Sequence, residues 1–173
     1  MRTEIRMAGF GGQGVVLAGR LLGEAAIRDG KRAVQTQSYG PESRGGAARS
    51  EVVISDEAID YPKVIQADIL VALSQTAFDK FRPAVKDNGK IIVDSDLVKP
   101  DDDRIDAVPF SKTADDLGKR MVANSVMLGY LVASTGVIGT QSMETTVREM
   151  VPEHTVEINL EAFRKGIDLA RER

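Results

Sequence analysis

The chain has 173 residues, 42% apolar and 28% charged, with a net charge of −3. That balance suits one packed domain and gives no blanket electrostatic reason to bind nucleic acid or an anionic membrane. There is no cysteine, which excludes disulfides, a thiolate nucleophile and cysteine ligands to an iron–sulfur cluster.

Residues 1–6 have an early acid and no long apolar run, so the expectation is a cytoplasmic chain. Residues 3–8 alternate and then turn apolar, as a first strand does. Residues 13–29 place Val16, Leu17, Ala18, Leu21, Leu22 and Ala25 on one helical face. Gly30 stops that helix, and residues 32–37 supply a second strand, completing β-turn-α-β. Residues 38–48 read as a loop. Residues 49–55 alternate Arg49, Glu51 and Val53 against Ser50, Val52 and Ile54, the pattern of a half-exposed strand.

Two apolar runs, residues 68–73 and 90–94, flank a helical stretch around residues 75–85. Such runs alternating with helices predict a parallel sheet covered on both faces. Residues 104–110 add a short edge strand. Helices are then expected at 115–119, 122–135, 142–150 and 155–173. No charged residue lies between Met121 and Met143. Ser, Thr, Asn, Gln and Gly interrupt that stretch, so it reads as a buried helix and a loop rather than a membrane span. The fold class is therefore α/β: a single Rossmann-like domain over residues 1–173, with a mostly parallel sheet and a helical C-terminal third.

Gly9-Phe10-Gly11-Gly12-Gln13-Gly14 joins the first strand to the first helix with the spacing G-x-G-x-x-G. Glycines there allow a tight turn and let an anion approach the unpaired N–H groups of the helix. A dinucleotide site also wants an acid about 20 residues further on, at the end of the second strand. That region reads Val34-Gln35-Thr36-Gln37-Ser38, without an acid, and Arg44 sits late for an NADP phosphate. NAD(P) is disfavoured.

Asp94-Ser95-Asp96 and Asp101-Asp102-Asp103 are read as a strand end and a solvated turn, with no metal assigned, and His154 as a surface or helix-end residue. Ser125, Gly129 and Ala133 form a stripe of small side chains, expected to pack on the domain's own sheet or on a partner subunit. Asn124 near the start of that helix reads as a helix cap or an interface contact, the cap first.

The segment Gln37-Ser38-Tyr39-Gly40-Pro41-Glu42-Ser43-Arg44-Gly45-Gly46-Ala47, taken with Gly9 to Val16 and with the stretch from Asn124 to Gly129, resembles the gamma subunit of 2-oxoacid:ferredoxin oxidoreductases over nearly the whole chain. The types concerned act on pyruvate, 2-oxoglutarate or 2-ketoisovalerate. The resemblance implies a cytoplasmic multi-subunit enzyme that converts a 2-oxoacid, coenzyme A and oxidised ferredoxin into acyl-CoA, carbon dioxide and reduced ferredoxin, with 2-oxoglutarate or a similar acid as substrate. Thiamine pyrophosphate, magnesium and the iron–sulfur clusters would then sit on companion subunits, and ferredoxin would be reached through the complex. The chain itself would hold no cofactor, contribute no catalytic residue and be inactive alone.

Gly9, Gly11, Gly12, Gln13, Gly14 and Arg44 are the candidate cofactor-binding residues, with the ligand of the glycine turn left open and Arg44 read as a fork for phosphate or carboxylate. Tyr39, Gly40, Pro41, Glu42, Ser43, Arg44, Gly45, Gly46 and Asn124 are expected to line a subunit interface near the coenzyme A channel. The small subunit of indolepyruvate:ferredoxin oxidoreductase and a free-standing nucleotide-binding module are the alternatives.

Overall fold

The structure, a computed structural model, describes residues 1–38 and 47–173. Strand β1 (Arg2–Gly9) leads through the glycine turn into helix α1 (Val15–Arg28), then β2 (Arg32–Ser38) and β3 (Ala48–Ser55). Next come β4 (Ala67–Ala72), α2 (Gln75–Phe81), β5 (Val85–Asp94), β6 (Asp106–Val108) and α3 (Phe110–Asp116). The chain ends in α4 (Ala123–Thr135), α5 (Thr140–Met150) and α6 (Val156–Arg171).

These strands form a six-stranded sheet in the order β2-β3-β1-β4-β5-β6. β4, β5 and β6 run parallel to β1, whereas β3 is antiparallel to both of its neighbours. The β1-α1-β2 unit therefore exists, but its two strands are not adjacent, because β3 returns between them. From β3 the chain crosses to the other side of β1 and builds outward, so the strand order reverses between β1 and β4. In open α/β sheets the crevice at such a point, beyond the carboxyl ends of the strands, is where ligands bind.

One face of the sheet is covered by α1, α4, α5 and α6 around a core that includes Ile5, Met7, Leu21, Val52, Val71, Ile92, Met127 and Phe163. The other face holds a smaller core of Leu70, Ala72, Phe78, Phe81 and Val93 under α2. Burial on both faces explains the continuous apolar runs of β4 and β5.

The expectation of a half-exposed strand at residues 49–55 is corrected: β3 is buried almost throughout. Its charge is neutralised inside the fold. Arg6 Nε lies 2.6 Å from Glu51 Oε1, and the Arg6 guanidinium also donates to Val64 O at 2.9 Å and lies over the Phe81 ring. Burying a lone carboxylate would be prohibitive, but burying a hydrogen-bonded pair is not. The helix expected at 115–119 instead spans Phe110–Asp116, and the chain turns at Gly118, with φ 80°. Edge strand β6 forms inside the expected 104–110 segment.

Of the small-residue stripe on α4, Ser125 and Gly129 pack on α6 of the same chain, not on the sheet. A Cβ at Gly129 would collide with the Phe163 carbonyl, and one at Gly166 with the Val126 carbonyl. Ser125 Oγ donates to Asn159 Oδ1 at 2.7 Å across the same contact. With α6 on one side and the rest of the core on the other, α4 is buried from Asn124 to Val132, which is why it is apolar all round. Among the described residues no helix is long and apolar enough to cross a membrane.

Candidate functional site

A cleft of about 370 Å³ opens at the carboxyl ends of β1, β4 and β5, lined by Gly11, Gly12, Gln13, Leu73, Asp94, Leu97, Ser111, Arg120, Met121 and Ala123. Its position is dictated by topology, since the sheet reverses strand order between β1 and β4. The volume lies in the range of small-ligand sites.

The glycine turn forms one wall, and its residues divide by what requires them. Gly12 and Gly14 have φ of 89° and 75°, backbone that favours glycine. Gly9 leaves space for the Gln13 side chain, which a Cβ would strike. Gln13 is a clamp: Oε1 accepts from Phe10 N at 2.6 Å, and Nε2 donates to Leu73 O at 2.8 Å, tying the turn to the end of β4. Gly11 is different, because a Cβ there meets nothing within 4 Å. Helix α1 starts behind Gly14 with no side-chain cap, so its first N–H groups and the positive end of its dipole stand behind the turn.

The capping role expected first for Asn124 is corrected. The residue before α4 is Val122, no side-chain cap forms, and Asn124 lies inside the helix. It is 5% exposed and rests on the glycine turn, with Nδ2 3.5 Å from Gly14 O. Residues 110 positions apart thus share one contact. Tyr39, Gly40, Pro41, Glu42, Ser43, Arg44, Gly45 and Gly46 lie outside the described residues.

The opposite wall went unrecognised in the sequence. Asp94, at the end of β5, is 1% exposed. Its Oδ2 accepts from Ser111 N and Oγ at 3.2 and 2.6 Å, and its Oδ1 accepts from Asp96 N at 3.1 Å. Burial pushes the Asp94 carboxyl above the ordinary carboxylate range, against the opposing pull of the Ser111 hydroxyl. Leu97 and Met121 are exposed at the cleft, Met121 to 88%. Arg120 Nη1 is held 2.6 Å from Asp115 Oδ2. An acid at the carboxyl end of a parallel strand was the readable signal, but only the fold brings that end beside the glycine turn. The cleft thus brings together the N–H groups at the start of α1, a buried carboxyl that holds Ser111 and Asp96, and exposed apolar side chains. His154 is exposed and is not among the residues that line the cleft.

A family described as pyruvate ferredoxin/flavodoxin oxidoreductase matches residues 4–169. The 2-oxoglutarate synthase subunit KorC of Methanocaldococcus jannaschii is 52% identical, over 99% of this chain and 96% of that protein. The crystal structure of a keto/oxoacid ferredoxin oxidoreductase gamma subunit from Geobacter sulfurreducens superposes with a TM-score of 0.86 at 45% identity, covering 99% of both chains. The 2-oxoglutarate:ferredoxin oxidoreductase of Magnetococcus marinus, solved with 2-oxoglutarate, coenzyme A and succinyl-CoA bound, matches at a TM-score of 0.87 and 25% identity; this chain covers 31% of that longer one. The indolepyruvate oxidoreductase subunit IorB of Methanothermobacter thermautotrophicus is more distant, at 23% identity.

Proposed function

The chain belongs to the pyruvate ferredoxin/flavodoxin oxidoreductase family, and from that premise we propose that it is the gamma subunit of a 2-oxoacid:ferredoxin oxidoreductase acting on 2-oxoglutarate. The observation that carries this reading is the end-to-end similarity to a 2-oxoglutarate synthase subunit, at 52% identity. The chain supports assembly and forms part of the coenzyme A channel, acting as one unit over residues 1–173.

Coenzyme A suits the cleft by its chemistry. Its phosphates are anions, and the uncapped start of α1 behind Gly11, Gly12 and Gly14 offers N–H groups to an anion. Arg44 adds a guanidinium to the same task, and residues 39–46 carry the interface with companion subunits. Gln13 and Asn124 hold the turn in shape from within the protein. Thiamine pyrophosphate with magnesium and the iron–sulfur clusters belong on companion subunits, where they supply decarboxylation and electron removal to ferredoxin. This chain has no cysteine with which to hold such a cluster. Its own part is to bind and orient the acyl acceptor so that the thiol crosses to the companion subunit. A cytoplasmic complex is the corresponding location.

The test is affinity purification of the tagged chain from its own cells. Companion subunits should copurify, and the preparation should reduce a viologen dye with coenzyme A and 2-oxoglutarate faster than with pyruvate. A chain that purifies alone, from cells whose 2-oxoglutarate-dependent activity survives its deletion, would overturn the proposal.

A further inference from the structure

We propose that the outer edge of β2 is a docking surface for a second copy of this chain. The two β2 strands pair antiparallel about a two-fold axis, and the two six-stranded sheets become one. No residue of β2 lines the cleft, so the inference does not depend on what the cleft binds.

The two ends of the sheet are built differently. β6, at one end, has three residues and begins with Asp106, which Lys90 and Tyr130 hold. A strand so short and led by a charge gives another chain little to pair with. β2, at the other end, has seven residues, and from Ala33 to Ser38 it contains neither a charged residue nor a proline. Charge, proline and short length are the devices by which sheet edges keep other chains away. Val34 and Thr36 favour the extended backbone, and β3 occupies only one side of the strand. Among the described residues no strand pairs with its other side, where a row of N–H and C=O groups stands open.

Helix α1 decides what covers that edge. It lies over the gap between β2 and β3, since a Cβ at Gly19 would meet both Ser50 of β3 and Gln35 of β2. Continuing the sheet through a second β2 at the usual strand spacing therefore sets two α1 helices about 10 Å apart on one face, the distance at which helices pack. A groove of about 300 Å³ runs along this side between α1 and β2, where Ile27, Ala33 and Met150 supply apolar surface. Ile27 is 55% exposed there, and the second copy covers it.

The charges of α1 match a two-fold axis. Gln35 lies beneath Gly19 and Gly23, so an axis through Gln35 passes near the middle of that helical turn. The two α1 helices then run antiparallel, and Arg20 of each stands opposite Glu24 of the other. Arg20 is exposed and has no ion-pair partner among the described residues. Glu24 is 3.4 Å from Arg28, whose nearer partner is Glu149 at 2.6 Å. Two weakly committed charges of opposite sign that exchange places under the axis make the surface self-complementary, as an isologous interface requires. The same axis points the two clefts in opposite directions, and each stays open to companion subunits.

The test is sedimentation equilibrium of the purified chain over a range of concentrations, where it should dimerise reversibly. Arg20→Glu and Glu24→Arg each set like charges opposite one another across the axis, and each should raise the dimer Kd by about tenfold or more. An equimolar mixture of the two variants recreates both opposite-charge pairs in a heterodimer, which should form as tightly as the wild-type dimer. The mixture also controls for folding, because a misfolded variant could not rescue its partner. A chain that stays monomeric at every concentration would overturn the proposal. A dimer that neither substitution weakens would do the same, as would two weakened variants that mixing fails to restore.

Discussion

Gly11 is the residue of the turn for which the folded chain itself supplies no reason to be glycine. Its φ is not positive, a methyl group there meets nothing, and the residue lines the cleft. Gly11→Ala should leave thermal stability unchanged or raise it slightly, because a compatible Gly→Ala change gains about 0.4–1 kcal/mol from the unfolded state. The same methyl should raise KM for coenzyme A in the assembled enzyme by about tenfold, a loss of about 1.4 kcal/mol. Loss of stability with an unchanged KM would make the residue structural. Tyr130 shows the opposite case, a polar group committed to the interior. Burial first, and then its 2.7 Å hydrogen bond to Asp106, keep its hydroxyl protonated well above the ordinary tyrosine range. The unfolded chain releases that proton near pH 10, about the ordinary tyrosine value, whereas the native chain does not. This contribution to stability is therefore intact below that pH and lost as pH rises beyond it. An alkaline titration followed at 295 nm should show Tyr130 ionising together with loss of far-ultraviolet circular dichroism; its ionisation in the intact fold would contradict the account.

Among the elements, α4 and α6 are held at a distance fixed by two glycines. Gly129 and Gly166 each sit against a carbonyl of the facing helix, and backbone cannot yield as a side-chain tip does. Gly129→Ala should therefore separate the helices and cost about 1–3 kcal/mol, despite alanine's better helix propensity. For a chain of this size that lowers Tm by roughly 2–4 °C per kcal/mol. Gly23→Ala in α1 is the matched control. Its new methyl lies 3.8 Å from Gln35, an ordinary contact, so it should be neutral or stabilising by up to about 1 kcal/mol. Equal effects of the two substitutions in a thermal melt would refute the close-approach argument. β3 makes a related point about sheets. Its alternation of charge and apolar side chains is the signature of a solvated strand, yet the charged face is buried because Arg6 on β1 stands beside Glu51.

At the scale of the whole molecule, the cleft is assembled from the carboxyl ends of β1, β4 and β5, the start of α3 and the short turn Arg120–Val122. The chain lacks cysteine altogether, so the electrons taken from a 2-oxoacid cannot be passed to a cysteine-held cluster within it. The purified chain, given 2-oxoglutarate, coenzyme A and a viologen dye, should show no reduction, and addition of the thiamine-binding and cluster-binding subunits should restore turnover. Robust reduction by the chain alone would remove the division of labour on which the functional reading stands.

The sequence by itself determined the elements and the family. Periodicity marked the strands and most of the helices, glycine spacing marked the turn, and the pairing of Gly9–Val16 with the segment from Gln37 to Ala47 pointed to the gamma subunits. These signals are local: they depend on which residues recur within a few positions of one another, and each segment carries its own record of which face is buried. Only the tertiary structure decided that β3 lies between β1 and β2, that Asn124 leans on Gly14 instead of capping its helix, that Ser125 and Gly129 of α4 meet α6, and that Asp94 faces the glycine turn across a cleft. The physical reason is that strand order, helix approach and the meeting of distant loops depend on contacts between residues far apart in the chain. Arg6 with Glu51 and Gly14 with Asn124 have no shared pattern until the sheet closes and brings them within a hydrogen bond's reach.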